Sequence, residues 1–227
     1  MQRLWTTLLA GAALAVLPLV SANATLTLSP GLVGGSGDVD NVIFNACGLS
    51  SGPALTVQGC LNTSHSTLVN FTGTENLLIP SGGQARVEAQ DGAFDNVLIK
   101  LDSPLQGFSK LQFNIDAIAD GFASFEAIDQ FGTHFAFDNI AVTGNGQNFF
   151  TLGSADGQVA VSFQLLSTVG IQNISDLEQV RLGPVTLTPP CTSNCGPDPD
   201  VVVPEPASMA LLGMGVLGLA VARRRRT

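Results

Sequence analysis

Short stretches of alternating apolar and polar residues recur through the interior of the chain. From Gln84 to Gln90, Ala85, Val87 and Ala89 alternate with Arg86, Glu88 and Gln90; this two-residue period belongs to a strand with one face buried. Leu111, Phe113, Ile115 and Ala117 alternate with Gln112, Asn114 and Asp116 in the same way, and Val159, Val161, Phe163 and Leu165 with Ala160, Ser162 and Gln164. No helical period runs between Thr25 and Thr188. Asp91-Gly92, Asp120-Gly121, Asn145-Gly146 and Asp156-Gly157 are turn dipeptides expected to supply positive φ and to close hairpins. The clearest hairpin spans Ala123 to Phe137, two strands about a turn containing Gly132. Many short strands without intervening helices predict an all-β domain over residues 25–187, an antiparallel β-sandwich or jelly roll.

The two ends break this pattern. Residues 1–24 carry Arg3, then the apolar run Leu8 to Val20, then Ala22-Asn23-Ala24, the order of a cleaved secretory signal peptide. Residues 188–203 form a spacer: of the thirteen residues from Thr188 to Asp200 four are proline, and none is a large apolar residue. Ala207 to Ala222 is an uncharged apolar run of 16 residues. As a helix it would rise about 24 Å at ~1.5 Å per residue, short of a ~30 Å hydrocarbon core unless flanking residues contribute. Arg223, Arg224, Arg225 and Arg226 follow at once. Such a cluster stays on the cytoplasmic side and places everything before it outside. A single C-terminal transmembrane helix is therefore expected, because a buried core helix would not be apolar all round and end in four guanidinium groups.

Pro204, Glu205 and Pro206, the apolar run, and then the four arginines follow one another in residues 204–227. This order resembles the PEP-CTERM sorting signal of Gram-negative bacteria. The resemblance implies an exported protein that is the substrate of an exosortase, a membrane transpeptidase acting close to the Pro-Glu-Pro motif. It also implies a transient stay in the inner membrane before the cell surface or extracellular matrix. Two prolines would hold the segment extended just outside the bilayer, presenting a backbone bond to an enzyme embedded there. A GPI tail would end apolar, and no Leu-Pro-x-Thr-Gly sequence occurs. The body is loosely similar to jelly-roll ectodomains found ahead of such tails, which transfers no activity.

Charge narrows the partners. The 227-residue chain carries −9 overall, but between Thr25 and Val203 only Arg86, Lys100, Lys110 and Arg181 face 17 acids, a net −13. Phosphate backbones and anionic lipid would be repelled, so nucleic acid is excluded as a partner; the membrane is met only through the C-terminal helix.

Four cysteines in an exported chain point to disulfides. Of the three possible connectivities, the local one joins Cys47 with Cys60 and Cys191 with Cys195. A four-cysteine zinc site would have to bring the spacer to the first third of the domain, with a spacing unlike paired Cys-x-x-Cys ligands. His65, in a polar turn, and His134, on the second strand of the hairpin, lack a nucleophile elbow or ligand companions. Asp91, Asp95 and Asp138 lie in or beside expected turns and are candidate calcium ligands, although Asx turns account for the same residues. No other cofactor is expected.

A stacking platform for sugars is poor: Trp5 leaves with the signal peptide and there is no Tyr, while most of the 13 Phe fall on core positions. The functional expectation is a non-enzymatic, structural or adhesive surface or matrix protein. An extracellular polysaccharide-binding module is the alternative, and a secreted hydrolase stands behind both.

Overall fold

A computed structural model of the chain describes residues 25–35, 37–44, 46–47, 51–80, 86–94, 96–144, 147–155, 157–166 and 174–188. These residues form β1 (Leu26–Pro30), β2 (Asp40–Ile43), β3 (Ala54–Leu61), β4 (Leu68–Leu78), β5 (Arg86–Ala89), β6 (Asn96–Leu101) and β7 (Gln106–Phe108). They continue with β8 (Lys110–Ala117), β9 (Gly121–Asp129), β10 (His134–Val142), β11 (Asn148–Ser154), β12 (Ala160–Leu166), β13 (Ile174–Leu182) and β14 (Val185–Leu187). The described part is all-β, as the alternating pattern predicts. No described helix is long and apolar enough to cross a membrane; the C-terminal apolar run lies outside the described residues.

In place of the two separate sheets of a sandwich, the strands hydrogen-bond as one 14-stranded sheet. Long strands cause this, because each serves two neighbours along one edge. β13 pairs through Asp176–Glu178 with β5 and through Arg181 and Leu182 with β2. β4 pairs through Leu77 and Leu78 with β5. With β2 on β3 and β3 on β4, the pairing runs β13, β2, β3, β4, β5 and back to β13, a closed ring as in a barrel. One arm leaves the ring as β8, β11 and β1; the other leaves as β6, β12, β9 and β10.

The core follows the apolar alternation. Phe113 of β8 packs on Phe125 of β9, Phe150 of β11 and Phe163 of β12, with ring centroids 5.6, 5.5 and 5.1 Å away. These rings join residues of both arms, and all four are at most 2% exposed. Tilted rings at such separations add to the stabilisation their burial already brings.

Three readings of the pattern need correction. Gln112 and Asn114, expected at the surface of β8, are 0% and 1% exposed. The segment after β1 lies over Gln112, whose Nε2 donates to the carbonyls of Val33 at 3.3 Å and Gly35 at 3.0 Å. Lys110 beside it donates to Gly35 O and to both carboxylate oxygens of Asp38, at 2.9 and 3.2 Å.

In β12, Val161 is half-buried while Ala160 is fully buried. A bulge against β9 between Ala160 and Ser162 swaps which of them faces the core.

The turn dipeptides do not close hairpins. Gly92 and Gly157 have positive φ, 95° and 76°, yet the strands they join pair elsewhere: β5 with β13 and β4, β6 with β4 and β12, β11 with β1 and β8. Gly121 opens β9, which pairs β10 and β12 rather than the preceding β8. Asn145 and Gly146 lie outside the described residues. The β9–β10 hairpin forms as predicted, with Gly132 at φ 80°.

Candidate functional site

One face of the sheet gathers charge. β13 lies between β5 and β8, and its register sets two rows of side chains across three strands. Glu178 stands opposite Arg86 on one side and Asn114 on the other; Asp176 stands opposite Glu88 and Asp116. The second row is therefore three carboxylates on consecutive strands, about 4.8 Å apart, an arrangement in which like charges directly opposed destabilise the pairing.

Arg86 is the cation set among them. Its guanidinium pairs with Glu88 and lies 3.8 Å from Asp176 and 3.6 Å from Glu178. Burial pulls the Arg86 guanidinium down, and the charges of Asp176, Glu88 and Glu178 outweigh that, leaving it above its ordinary value. Asp176 has an 11% exposed side chain. Burial pushes its carboxyl up to about 6; Arg86 works against this, and the neighbouring Glu88 and Glu178 reinforce it. Asn114 enters the cluster by donating Nδ2 to Glu178 at 3.4 Å, and its buried Oδ1 has no hydrogen-bond partner.

The alternation of β5 and β8 placed Arg86, Glu88, Asn114 and Asp116 on one face each. The sequence held no signal for β13 lying between them.

The candidate chemistry is dispersed. Cys47 and Cys60 are disulfide-bonded, in agreement with the local pairing; Cys191 and Cys195 lie outside the described residues, as do Asp95, Pro204, Glu205, Pro206 and Arg223 to Arg226. Asp91 sits in an exposed turn, accepting from the Ala93 N–H at 3.4 Å. Asp138 is in β10 rather than in a turn, next to Asn139, which has φ 58° at a bulge between Phe137 and Ile140. Among the described residues no three His, Cys, Asp or Glu side chains converge as a metal ion requires. The calcium expectation for Asp91 and Asp138 thus finds an Asx turn and a strand bulge at those positions.

His65 is exposed in the β3–β4 turn. His134 Nδ1 lies 2.7 Å from Glu126 Oε1 across the β9–β10 hairpin, with 62% of its side chain exposed.

Asp129 was not singled out by any pattern, yet it holds the hairpin end. Its Oδ1 accepts the N–H groups of Phe131 and Thr133 at 2.9 and 2.7 Å, and its Oδ2 accepts Gln158 Nε2 at 2.7 Å. An aspartate two residues before a turn's Phe-Gly is the one signal that could have found it.

Comparison with known proteins bears on the tail. The PEP-CTERM protein-sorting motif matches residues 202–226. The chain carries a PEP-CTERM sorting signal. The PEP-CTERM motif marks it as an exported protein targeted to an exosortase. No curated protein matches the chain. A solved structure, the enzymatically active domain of bacteriophage CBA120 tailspike protein 4, is similar at 15% identity and a TM-score of 0.23, over 71% of this chain and 19% of that one. The chain thus spans about a fifth of that tailspike chain, and at this score the likeness carries no argument.

Proposed function

We propose that this PEP-CTERM protein is a non-enzymatic structural or adhesive component of a Gram-negative cell surface or extracellular matrix. On this reading it is held briefly in the inner membrane by its C-terminal segment and then processed near Pro204-Glu205-Pro206. The observation that carries the reading is the sorting motif at residues 202–226. Charge supports it: the body over residues 25–187, with 15 acids against 4 basic residues, a net −11, would be repelled by an anionic membrane surface and held off by the proline-rich spacer. The ring contacts of Phe113 with Phe125 and Phe163, and of Phe150 with Phe125, support a sandwich-like packing of the two arms within the continuous sheet. Replacing Pro204, Glu205 and Pro206 with alanine tests the reading in a host with an active exosortase. Secretion should continue while the tail, about twenty residues by its apolar length, stays attached in intact-mass spectra. Processing like wild type would overturn it.

A second reading, polysaccharide binding, is favoured by one feature. The register carries a row of outward residues across six strands: Thr56, Thr72, Leu98, Gln164, Glu126 and Ala136. Phe122, 53% exposed, shares the face of Glu126 by strand parity, adding the aromatic surface that composition alone did not promise. Glycan-array binding that Phe122→Ala abolishes would support this second role; an array without signal removes it.

A further inference from the structure

β10 ends one arm of the sheet: it pairs with β9 and, among the described residues, no strand lies along its other edge. The Asp129 N–H donates to Thr133 O where the hairpin starts, and in an antiparallel pair the direction of the backbone groups alternates from one residue to the next. Phe135 and Phe137 therefore direct their N–H and C=O groups to Ala127 and Phe125, whereas His134 and Ala136 direct theirs to the open edge, and Asp138 follows in the same parity. Side chains divide likewise. His134, Ala136 and Asp138 are exposed on the outer face, while Phe135 and Phe137 are half-buried against the core. Open edges are usually blunted by a charge, a proline or a bulge. Here the bulge lies between Phe137 and Ile140, with Asn139 at φ 58°, and the turn at Gly132 bounds the other end. The segment His134 to Asp138 is left between them.

We propose that this edge pairs with the same edge of a second copy of the chain, antiparallel about a two-fold axis at Ala136. In that register Ala136 meets its own counterpart, His134 meets Asp138 of the second copy, and Phe135 meets Phe137. The segment His134-Phe135-Ala136-Phe137-Asp138 is thus complementary to itself: an imidazole faces a carboxylate at both ends, and aromatic rings face each other between them. Hydrogen-bond direction selects the same register. Ala136 exchanges bonds with Ala136 and His134 with Asp138, while Phe135 and Phe137 fall at the non-bonded position, where side chains stand closest. Within its own chain His134 Nδ1 is 2.7 Å from Glu126 Oε1, which leaves Nε2 for the carboxylate across the axis. An axis at Phe135 would set His134 against Ala136, and one at Phe137 would run Phe135 into the bulge at Asn139. With the axis at Ala136 the bulge of each copy lies beyond the first residue of the other's strand. The contact is isologous: β9 and β10 of both copies become one continuous sheet, and the rings of Phe135 and Phe137 from the two copies cover each other at the end of the core.

The test is sedimentation equilibrium of the full chain in density-matched detergent, over a concentration series at 0.15 M salt, where repulsion between two acidic bodies is screened beyond about 8 Å. A concentration-dependent dimer is expected; a chain that stays monomeric up to about 100 µM would overturn the proposal. Ala136→Pro deletes the edge N–H at the axis and spares the bonds to β9, a position where an edge strand tolerates proline. Dimerisation should weaken at least tenfold while the far-UV circular dichroism of the dilute chain is unchanged. Asp138→Lys, on the exposed face, places a cation opposite His134 and should also weaken the dimer at least tenfold. Adding His134→Glu to Asp138→Lys restores opposite charges across the axis and should recover most of that loss, which a contact elsewhere on the chain would not do. If Ala136→Pro misfolds, the single and double charge variants decide. A dimer that the folded variants leave unchanged, such as one formed through the C-terminal apolar run, would overturn the assignment, and so would a double variant that recovers nothing.

Discussion

Asp176→Asn isolates the cost of the carboxylate row. In the folded chain burial moves this carboxyl from its ordinary 3.8 up to about 6. The folded state therefore holds the proton more tightly than the unfolded chain does. Stability from this group is fully present below pH 3.8, is lost as pH rises toward 6, and stays lost above it. The largest loss is about 3 kcal/mol, a substantial part of the ~5–15 kcal/mol by which domains are usually stable. Asparagine keeps nearly the same shape and is neutral at every pH, so the variant should not lose that increment. Other carboxylates titrate in the same range, and subtracting the variant's curve from wild type removes them. The assay is urea unfolding of both full chains at pH 4, 5, 6 and 7, followed by far-UV circular dichroism because Trp5 is the only tryptophan and tyrosine is absent. Wild type should fall relative to the variant by about 2 kcal/mol between pH 4 and pH 7, because part of the increment is already lost at pH 4. A difference that stays constant across the range would refute the reasoning, since the row would then carry no pH-dependent cost.

Reducing the Cys47–Cys60 bond, whose ends are 13 residues apart, should cost about 3 kcal/mol in the chain-entropy account; a melting temperature unmoved by reductant would count against it. Phe113→Ala removes the ring that meets Phe125, Phe150 and Phe163. Chemical denaturation should show a loss of about 3–5 kcal/mol, and a loss under 1 kcal/mol would mean the two arms do not depend on that cluster. Asp129→Ala leaves the N–H groups of Phe131 and Thr133 and the amide of Gln158 without their acceptor. It should destabilise by about 3 kcal/mol, because bonds to a charged acceptor are worth roughly 1.5–3 kcal/mol each and rarely add fully; hydrogen exchange at Phe131 and Thr133 should quicken, and unchanged protection there would contradict the clamp.

Much of the function that is established here lay in local order along the chain. The sorting signal is a linear arrangement of Pro204-Glu205-Pro206, an apolar run and Arg223 to Arg226, and the chemistry that reads it needs no tertiary fold. Strand identity was equally local. Leu111, Phe113, Ile115 and Ala117 occupy the core face of β8 because a period of two leaves an apolar side no other place to go. The Cys47–Cys60 bond followed from proximity in sequence.

Which strands would become neighbours was another matter. Gly92 and Gly157 supply the positive φ expected of them, but a bend fixes only the local chain direction, and the strands on either side found partners across the sheet. The burial of Gln112 depends on carbonyls some 77 to 79 residues away, and its outward position in the pattern carries no trace of them. The same holds for the charged face. Arg86 and Glu88, and Asn114 and Asp116, each read as polar positions on a separate strand, while Asp176 and Glu178 fell in a segment for which the alternation predicted no strand. Only the registers of β13 with β5 and β8 place Glu88, Asp176 and Asp116 in one row, with the Arg86 guanidinium beside the first two. Side-chain alternation is a property of one strand, whereas the field at Asp176 is a sum over three, so it came into being only when the strands paired.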